Sequence, residues 1–174
     1  MSDFNGTYAL DPTHSRIGFW LRHAMVTKVR GEFTEYEASL SYGENNSATA
    51  TIKTASIDTS NTDRDAHVRG EDFFNVEQFP EMTFTATEFN INGTEGTVTG
   101  DLTIKGITKP VTLNVEIAGV AVDPYNQTRL GFEATTKINR KDFGIDFNAP
   151  LNTGGVLLAE EINIEIEGSA IRQG

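Results

Sequence analysis

Apolar and polar residues alternate with a period of two along most of this chain. Ile17, Phe19, Leu21 and His23 fall on one face, and Arg16, Gly18, Trp20 and Arg22 on the other. Ala48, Ala50 and Ile52 alternate with Thr49, Thr51 and Lys53, and Met82, Phe84 and Ala86 with Thr83, Thr85 and Thr87. Val98, Leu102 and Ile104 share a face interrupted by Gly100. Val111, Leu113, Val115 and Ile117 form another set, Leu130, Phe132, Ala134 and Ile138 the next, and Ile162, Ile164 and Ile166 the last. Strands with one buried and one wet face produce this pattern. The phase slips between Phe33 and Leu40 and between Phe84 and Phe89, which predicts a bulge in each strand. Asn92-Gly93 between two strand patterns marks a hairpin. Tyr42 to Ser47 and Gly106 to Pro110 predict two more tight connections.

Residues 58–81 break the alternation. A short helix over about residues 62–72 is expected, with Thr62 as its cap and Asp65 three residues on. Gly70 closes it and Pro80 prevents its continuation. No repeat or linker interrupts the pattern, so residues 1–174 read as a single domain. About eight or nine antiparallel strands with one helical insertion predict an all-β closed barrel or sandwich. A barrel of about eight strands has room for packed side chains or for one small ligand.

Charge and composition narrow the partners. Asp and Glu number 25 against 14 Lys and Arg, a net charge of -11. Such a chain neutralises few phosphates, which argues against nucleic acid. The same balance argues against attraction to an anionic membrane surface. With no Cys, disulfides, thiolate catalysis and Cys-ligated metals are excluded. No apolar run approaches the roughly 20 residues of a membrane span, so stable insertion is not expected. Met1 to Gly6 has neither a basic nor an apolar leader region. A cytoplasmic location is the expectation, and a periplasmic or secreted one would require a leader removed from this chain.

The candidate chemistry is sparse. His14, His23 and His67 show no metal-ligand spacing, so no metal site is expected. Ser15 follows His14 directly, and on a strand the two side chains diverge, which leaves no nucleophile–base pair. Asp63-Arg64-Asp65 and Arg69 with Asp72 read either as an anionic head-group site or as ion pairs fixing the helix to a barrel rim. Asp142-Phe143-Gly144 matches a kinase motif by chance, because no phosphate loop accompanies it. Phe19, Phe33, Phe73, Phe84, Phe132 and Phe143 fall on apolar faces or strand ends. They read either as plain core or as the wall of a cavity.

The string Tyr8-Ala9-Leu10-Asp11-Pro12-Thr13-His14-Ser15-Arg16-Ile17-Gly18-Phe19, followed by His23 and Gly31-Glu32-Phe33, resembles the opening of the YceI-like family. Ile57-Asp58-Thr59, Arg64-Asp65-Ala66-His67, Asp72-Phe73-Phe74 and Phe79-Pro80 resemble its middle. Gly100 to Gly106, Lys109-Pro110-Val111, Arg140 to Gly144 and Ile162-Asn163-Ile164 resemble its end. The resemblance implies an eight-stranded antiparallel, lipocalin-like barrel with an elongated apolar tunnel. It implies a binder of long amphiphiles such as polyisoprenoids, isoprenoid quinones or fatty-acid derivatives, with no agreed enzymatic activity. Many members are periplasmic. The family motifs fall on His14, Ser15, Arg64, Asp65, His67 and Asp142, read as rim and helix-docking contacts.

The expected function is therefore sequestration or transport of a long-chain amphiphile. The expected tunnel residues are Phe19, Leu21, Phe33, Phe73, Phe84, Ile104, Leu113, Phe132 and Phe143. His14, Arg64, His67, Arg69 and Arg140 are expected at the mouth. No catalytic residue, metal or cofactor is expected beyond a bound isoprenoid or quinone, and the chain is expected as a monomer or homodimer. Two alternatives stand beside this. A filled barrel would serve as a protein-interaction or stress-associated module, with an exposed apolar patch around Trp20. A hydrolase or isomerase would use His14, His23 or His67 with Asp65 or Asp11.

Overall fold

The computed structural model describes residues 4–24, 26–148 and 158–173. Along the chain run β1 (Gly6–Leu10), β2 (Arg16–His23), β3 (Thr27–Phe33), β4 (Tyr36–Tyr42), β5 (Ser47–Lys53) and β6 (Ile57–Asp58). Then come α1 (Thr62–Arg69), β7 (Glu81–Asn92), β8 (Glu95–Ile104), β9 (Ile107–Val122), β10 (Thr128–Asn139) and β11 (Glu161–Gln173). The strands β1, β4, β5, β7, β8, β9, β10 and β11 hydrogen-bond in that order, and β11 returns to β1. The result is a closed eight-stranded antiparallel barrel. Closure leaves the Thr-rich ring without free edges.

The sheet forks at β11. Its C-terminal half pairs with β1, from Ala170 opposite Leu10 to Gln173 opposite Thr7. Its N-terminal half pairs with β2, from Glu167 opposite Arg16 to Asn163 opposite Trp20. The backbone between β1 and β2 is tied down at the fork. The Ser169 N–H donates to Ser15 Oγ at 3.0 Å, and the Asp11 N–H donates to the Ser169 carbonyl at 2.8 Å. Beyond β2, the sheet continues through β3 to the two-residue β6. β10 and β11 have 12 and 13 residues. At a rise of ~3.3 Å per residue and a tilt of ~40°, such strands make a barrel roughly 30 Å long.

Three local expectations change on contact with the structure. The odd spacing of Phe33 and Leu40 arises because a turn at Thr34–Glu35 separates β3 from β4, so no bulge is needed there. The second slip is a bulge, with the β7–β8 register shifting between Ala86 and Glu88. The helix is shorter than residues 62–72: it ends at Arg69 and is capped by Asn61, whose side-chain oxygen accepts from the Arg64 N–H at 3.0 Å. Asn61 is as good a cap as Thr62 and stands one residue earlier. The tight turn after β8 is Lys105–Gly106, both at positive φ, as a two-residue hairpin loop requires. Pro110 lies within β9, opposite Asp101 of β8. The β9–β10 pairing begins only at Asn114, so the missing N–H of Pro110 faces no partner strand.

The buried residues gather at two levels of the barrel. Ile17, Phe33, Ile57, Met82, Ile104, Phe143 and Ile145 pack together near α1, with Phe73 and Phe74 against them. Tyr8, Ile117, Leu130 and Ala170 pack at the opposite end.

Candidate functional site

Between these two clusters lies an elongated apolar cavity of about 520 Å³. That is within the range of ligand pockets, roughly 300–1,000 Å³. Its wall takes side chains from every strand of the ring: Leu10, Leu40, Ala50, Phe84, Leu102, Leu113, Phe132 and Ile164 are one from each. The nine residues named from sequence for a tunnel, Phe19, Leu21, Phe33, Phe73, Phe84, Ile104, Leu113, Phe132 and Phe143, all line it. Such a wall is the inner face of each strand, collected by closure.

The bore stays open because three aromatic rings lie against the wall over glycines. Phe19 faces Gly31 across β2 and β3, and Phe132 faces Gly168 across β10 and β11. Phe84 lies over Gly100. A Cβ added at any of these glycines would overlap the ring above it. An interior strand glycine often marks such a close approach. Gly100 visibly interrupts its apolar face, the one trace of this arrangement in the sequence; the seats at Gly31 and Gly168 become apparent only when the strands are paired.

The cavity reaches solvent beside α1. His67 lines the cavity, and its side chain is half exposed. Its Nε2 lies 3.0 Å from Asp72 Oδ2, and its ring meets Phe73 and Phe147 edge-on, each at 5.1 Å. Phe147 was missed from sequence, because its neighbours form no strand pattern. Arg64 also lines the cavity, but its guanidinium is held by Thr59, through Oγ1 at 2.8 Å and the carbonyl at 2.6 Å. The buried Asp65 accepts from the N–H and the hydroxyl of the same Thr59. Arg64 and Asp65 therefore dock α1 onto the chain after β6.

Three further expected mouth residues, besides Arg64, sit elsewhere or are otherwise engaged. Arg69 is not part of the cavity wall; it donates to the carbonyls of Ala55 and Ile57. The helix is thus fixed mainly by backbone hydrogen bonds, not by ion pairs among its charged residues. Arg140 does line the cavity but is only 4% exposed. It donates to the carbonyls of Ala159, Ile145 and Phe147 at 2.8–2.9 Å. Burial pushes its pKa down. Its role is to bracket two chain segments, because planar N–H forks can satisfy several carbonyls at once. His14 is off the cavity, against Asp11 at 3.1 Å.

Asp11 in turn accepts from Arg129 at 2.9 Å, and Arg129 from its other edge donates to Asp123 at 2.7 Å. The Thr13 hydroxyl first, and then Arg129, hold the Asp11 carboxyl well below the usual carboxylate range. An anion so stabilised makes a weak general base. His23 lines the cavity, and its backbone bridges to Leu158. Among the described residues, no group of three His, Asp or Glu is placed to hold a metal ion.

Trp20 faces outward. Lys28 Nζ lies 4.1 Å and Arg22 Cζ 5.5 Å from its ring centroid, and its indole N–H donates to Glu165 at 2.9 Å. It is a stacked surface residue and not part of an exposed apolar patch.

A family model for the YceI-like domain matches residues 8–170 of this chain. The chain belongs to the YceI-like family. A UPF0312 protein of Staphylococcus epidermidis is 44% identical over 175 residues, covering 98% of this chain and 96% of its own. The crystal structure of the Campylobacter jejuni YCEI protein is 34% identical, with a TM-score of 0.76 over 88% of this chain and 90% of that one. A polyisoprenoid binding domain from Saccharophagus degradans, implicated in plant cell wall breakdown, is 13% identical. It superposes with a TM-score of 0.74 over 95% of this chain and 98% of its own. That likeness is one of fold. The barrel fold is thus shared by this YceI-like chain and by a domain whose sequence alone would not show the likeness.

Proposed function

We propose that this YceI-like protein binds one long-chain amphiphile, a polyisoprenoid, isoprenoid quinone or fatty-acid derivative. The tail lies in the bore and the head group beside His67. The observation that carries this reading is the cavity of about 520 Å³ with its almost wholly apolar wall. Burying a tail there gains ~0.8 kcal/mol per methylene before association costs are counted. The polyisoprenoid binding domain with the same fold supports the ligand class. A filled-core module predicts no cavity of this size. Catalysis by His14 with Asp11 is disfavoured by the position of that pair outside the bore and by its engagement with Arg129. Sequestration or transport, not chemistry, is the reading that uses the cavity.

Native mass spectrometry of the purified protein, followed by organic extraction, tests it. A stoichiometric excess mass that partitions into solvent is the expected result. An apo mass unchanged after incubation with both isoprenoid quinones and fatty amides would remove the proposal.

A further inference from the structure

We propose that the β2–β3 hairpin docks this protein onto an anionic lipid surface and holds the cavity mouth against it. This rests on the reading that the bore takes an amphiphile. From Pro12 to Gly31 the chain carries Arg16, Arg22, Lys28 and Arg30 and no carboxylate, in a chain with 25 acidic residues. The net negative charge therefore conceals one positive element. Register places Trp20 opposite Arg30, and Arg22 opposite Lys28, on the outer face of the hairpin. Arg16 is paired with Glu32 at 3.1 Å. Among the described residues, no carboxylate forms an ion pair with Arg22, Lys28 or Arg30.

The same hairpin has an apolar tip and an apolar inner face. Val26 at the turn is 73% exposed. Leu21, His23 and Val29, facing inward, line the bore. Cations for head groups, an indole suited to the interface and an exposed aliphatic tip thus stand on one element, next to the opening through which a tail must pass. α1 and the turn after it, which follow β6 at the edge of β3, carry exposed Asp63, Glu71 and Asp72 and are acidic. An anionic bilayer therefore attracts the hairpin and repels the helix, which orients the mouth toward lipid. An acidic protein would match the charges but has no use for the open bore beside them.

Vesicle flotation of the full chain at low salt tests this, with phosphatidylcholine alone and mixed with phosphatidylglycerol. The protein is expected to float with the mixed vesicles only. Lys28→Glu is expected to lower the bound fraction at least about fivefold, since each cation near an anionic surface adds about that factor. Asn45→Glu with Thr94→Glu adds equal negative charge at exposed turns of the far end and is expected to change it little. Uptake of a fluorescent fatty acid from buffer is measured in parallel, with circular dichroism as the folding control. Wild-type protein that takes up the probe but does not float overturns docking and leaves the bore reading intact. Flotation without uptake supports docking and counts against the bore. Equal flotation by the Lys28→Glu protein overturns the assignment to this hairpin. Retention on a polyglutamate column with no flotation gives the face to an acidic protein and overturns the lipid surface.

Discussion

Phe19, Phe84 and Phe132 would project into the lumen if the residues beneath them carried side chains. Each instead lies over a glycine of the neighbouring strand, so the backbone lends the ring space that the bore keeps. Gly168 is the clean place to test this. Its added Cβ would meet the Phe132 ring first, whereas at Gly100 backbone atoms of Thr85 and Ala86 are also in the way. Gly168→Ala is expected to swing Phe132 inward and to weaken binding of a long-chain isoprenoid quinone by roughly 1–3 kcal/mol, the scale of overpacking. Titration by intrinsic fluorescence measures it, and Gly168→Ala with Phe132→Leu is expected to restore much of the loss. Unchanged affinity in the single variant would mean that the bore is not set by these rings. Residue identities also show where sequence reading reaches its limit. All nine apolar residues named for the tunnel line it. For the seven on strands, alternation fixes side-chain direction without knowledge of the partners, whereas Phe73 and Phe143 sit in turns beside α1 and after β10. The charged residues do not follow this rule. Arg69 and Arg140 satisfy carbonyls on distant segments, and nothing in a linear string marks which carbonyls a guanidinium will meet.

At the scale of elements, pairing creates features that no single strand contains. Glu95 lies opposite Glu116, Glu116 opposite Glu133 and Glu133 opposite Glu167, across four neighbouring strands. All four are exposed on the outer face of the barrel. Like charges directly opposite each other destabilise a sheet. Glu133→Lys turns two repulsive contacts into attractive ones. It is expected to stabilise the protein by about 0.5–2 kcal/mol, a rise of about 1–8 °C in Tm for a domain of this size. The gain should shrink in high salt, where exposed charges are screened. Thermal melts at low and high salt measure both, and an unchanged or lower Tm would show that the glutamates are spread apart. The strands β2, β5 and β7 to β11 and the Asn92–Gly93 hairpin were legible from alternation and turn chemistry, whereas β1 went unnamed and β3 and β4 were read as one bulged strand. The fork in β11 was not legible, because Ile162 to Ile166 and Ala170 belong to one continuous pattern while their partners change from β2 to β1. The short β6 was also hidden: two residues carry no period.

At the scale of the molecule, the question is what a hollow core costs. Empty space in a protein interior forgoes packing at ~24 cal/mol per Å³. A cavity of about 520 Å³ then represents a deficit on the order of 10 kcal/mol, comparable to the whole stability of a typical domain. Alternation cannot reveal this, since a packed barrel and a hollow one present the same inward residues. The size of the deficit couples ligand binding to folding. A tail in the bore restores the missing contacts in the native state alone. At a free concentration near a hundred times Kd it adds ~2.7 kcal/mol. For a domain of this size that is a rise of about 5–10 °C in Tm. Protein stripped by organic extraction and refolded is expected to melt lower, and to recover when refilled with a long-chain isoprenoid quinone. A short-chain quinone with the same head group should recover little, because the tail supplies the contacts. Equal recovery by both would place the binding energy at the head group and move the site from the bore to the rim around His67.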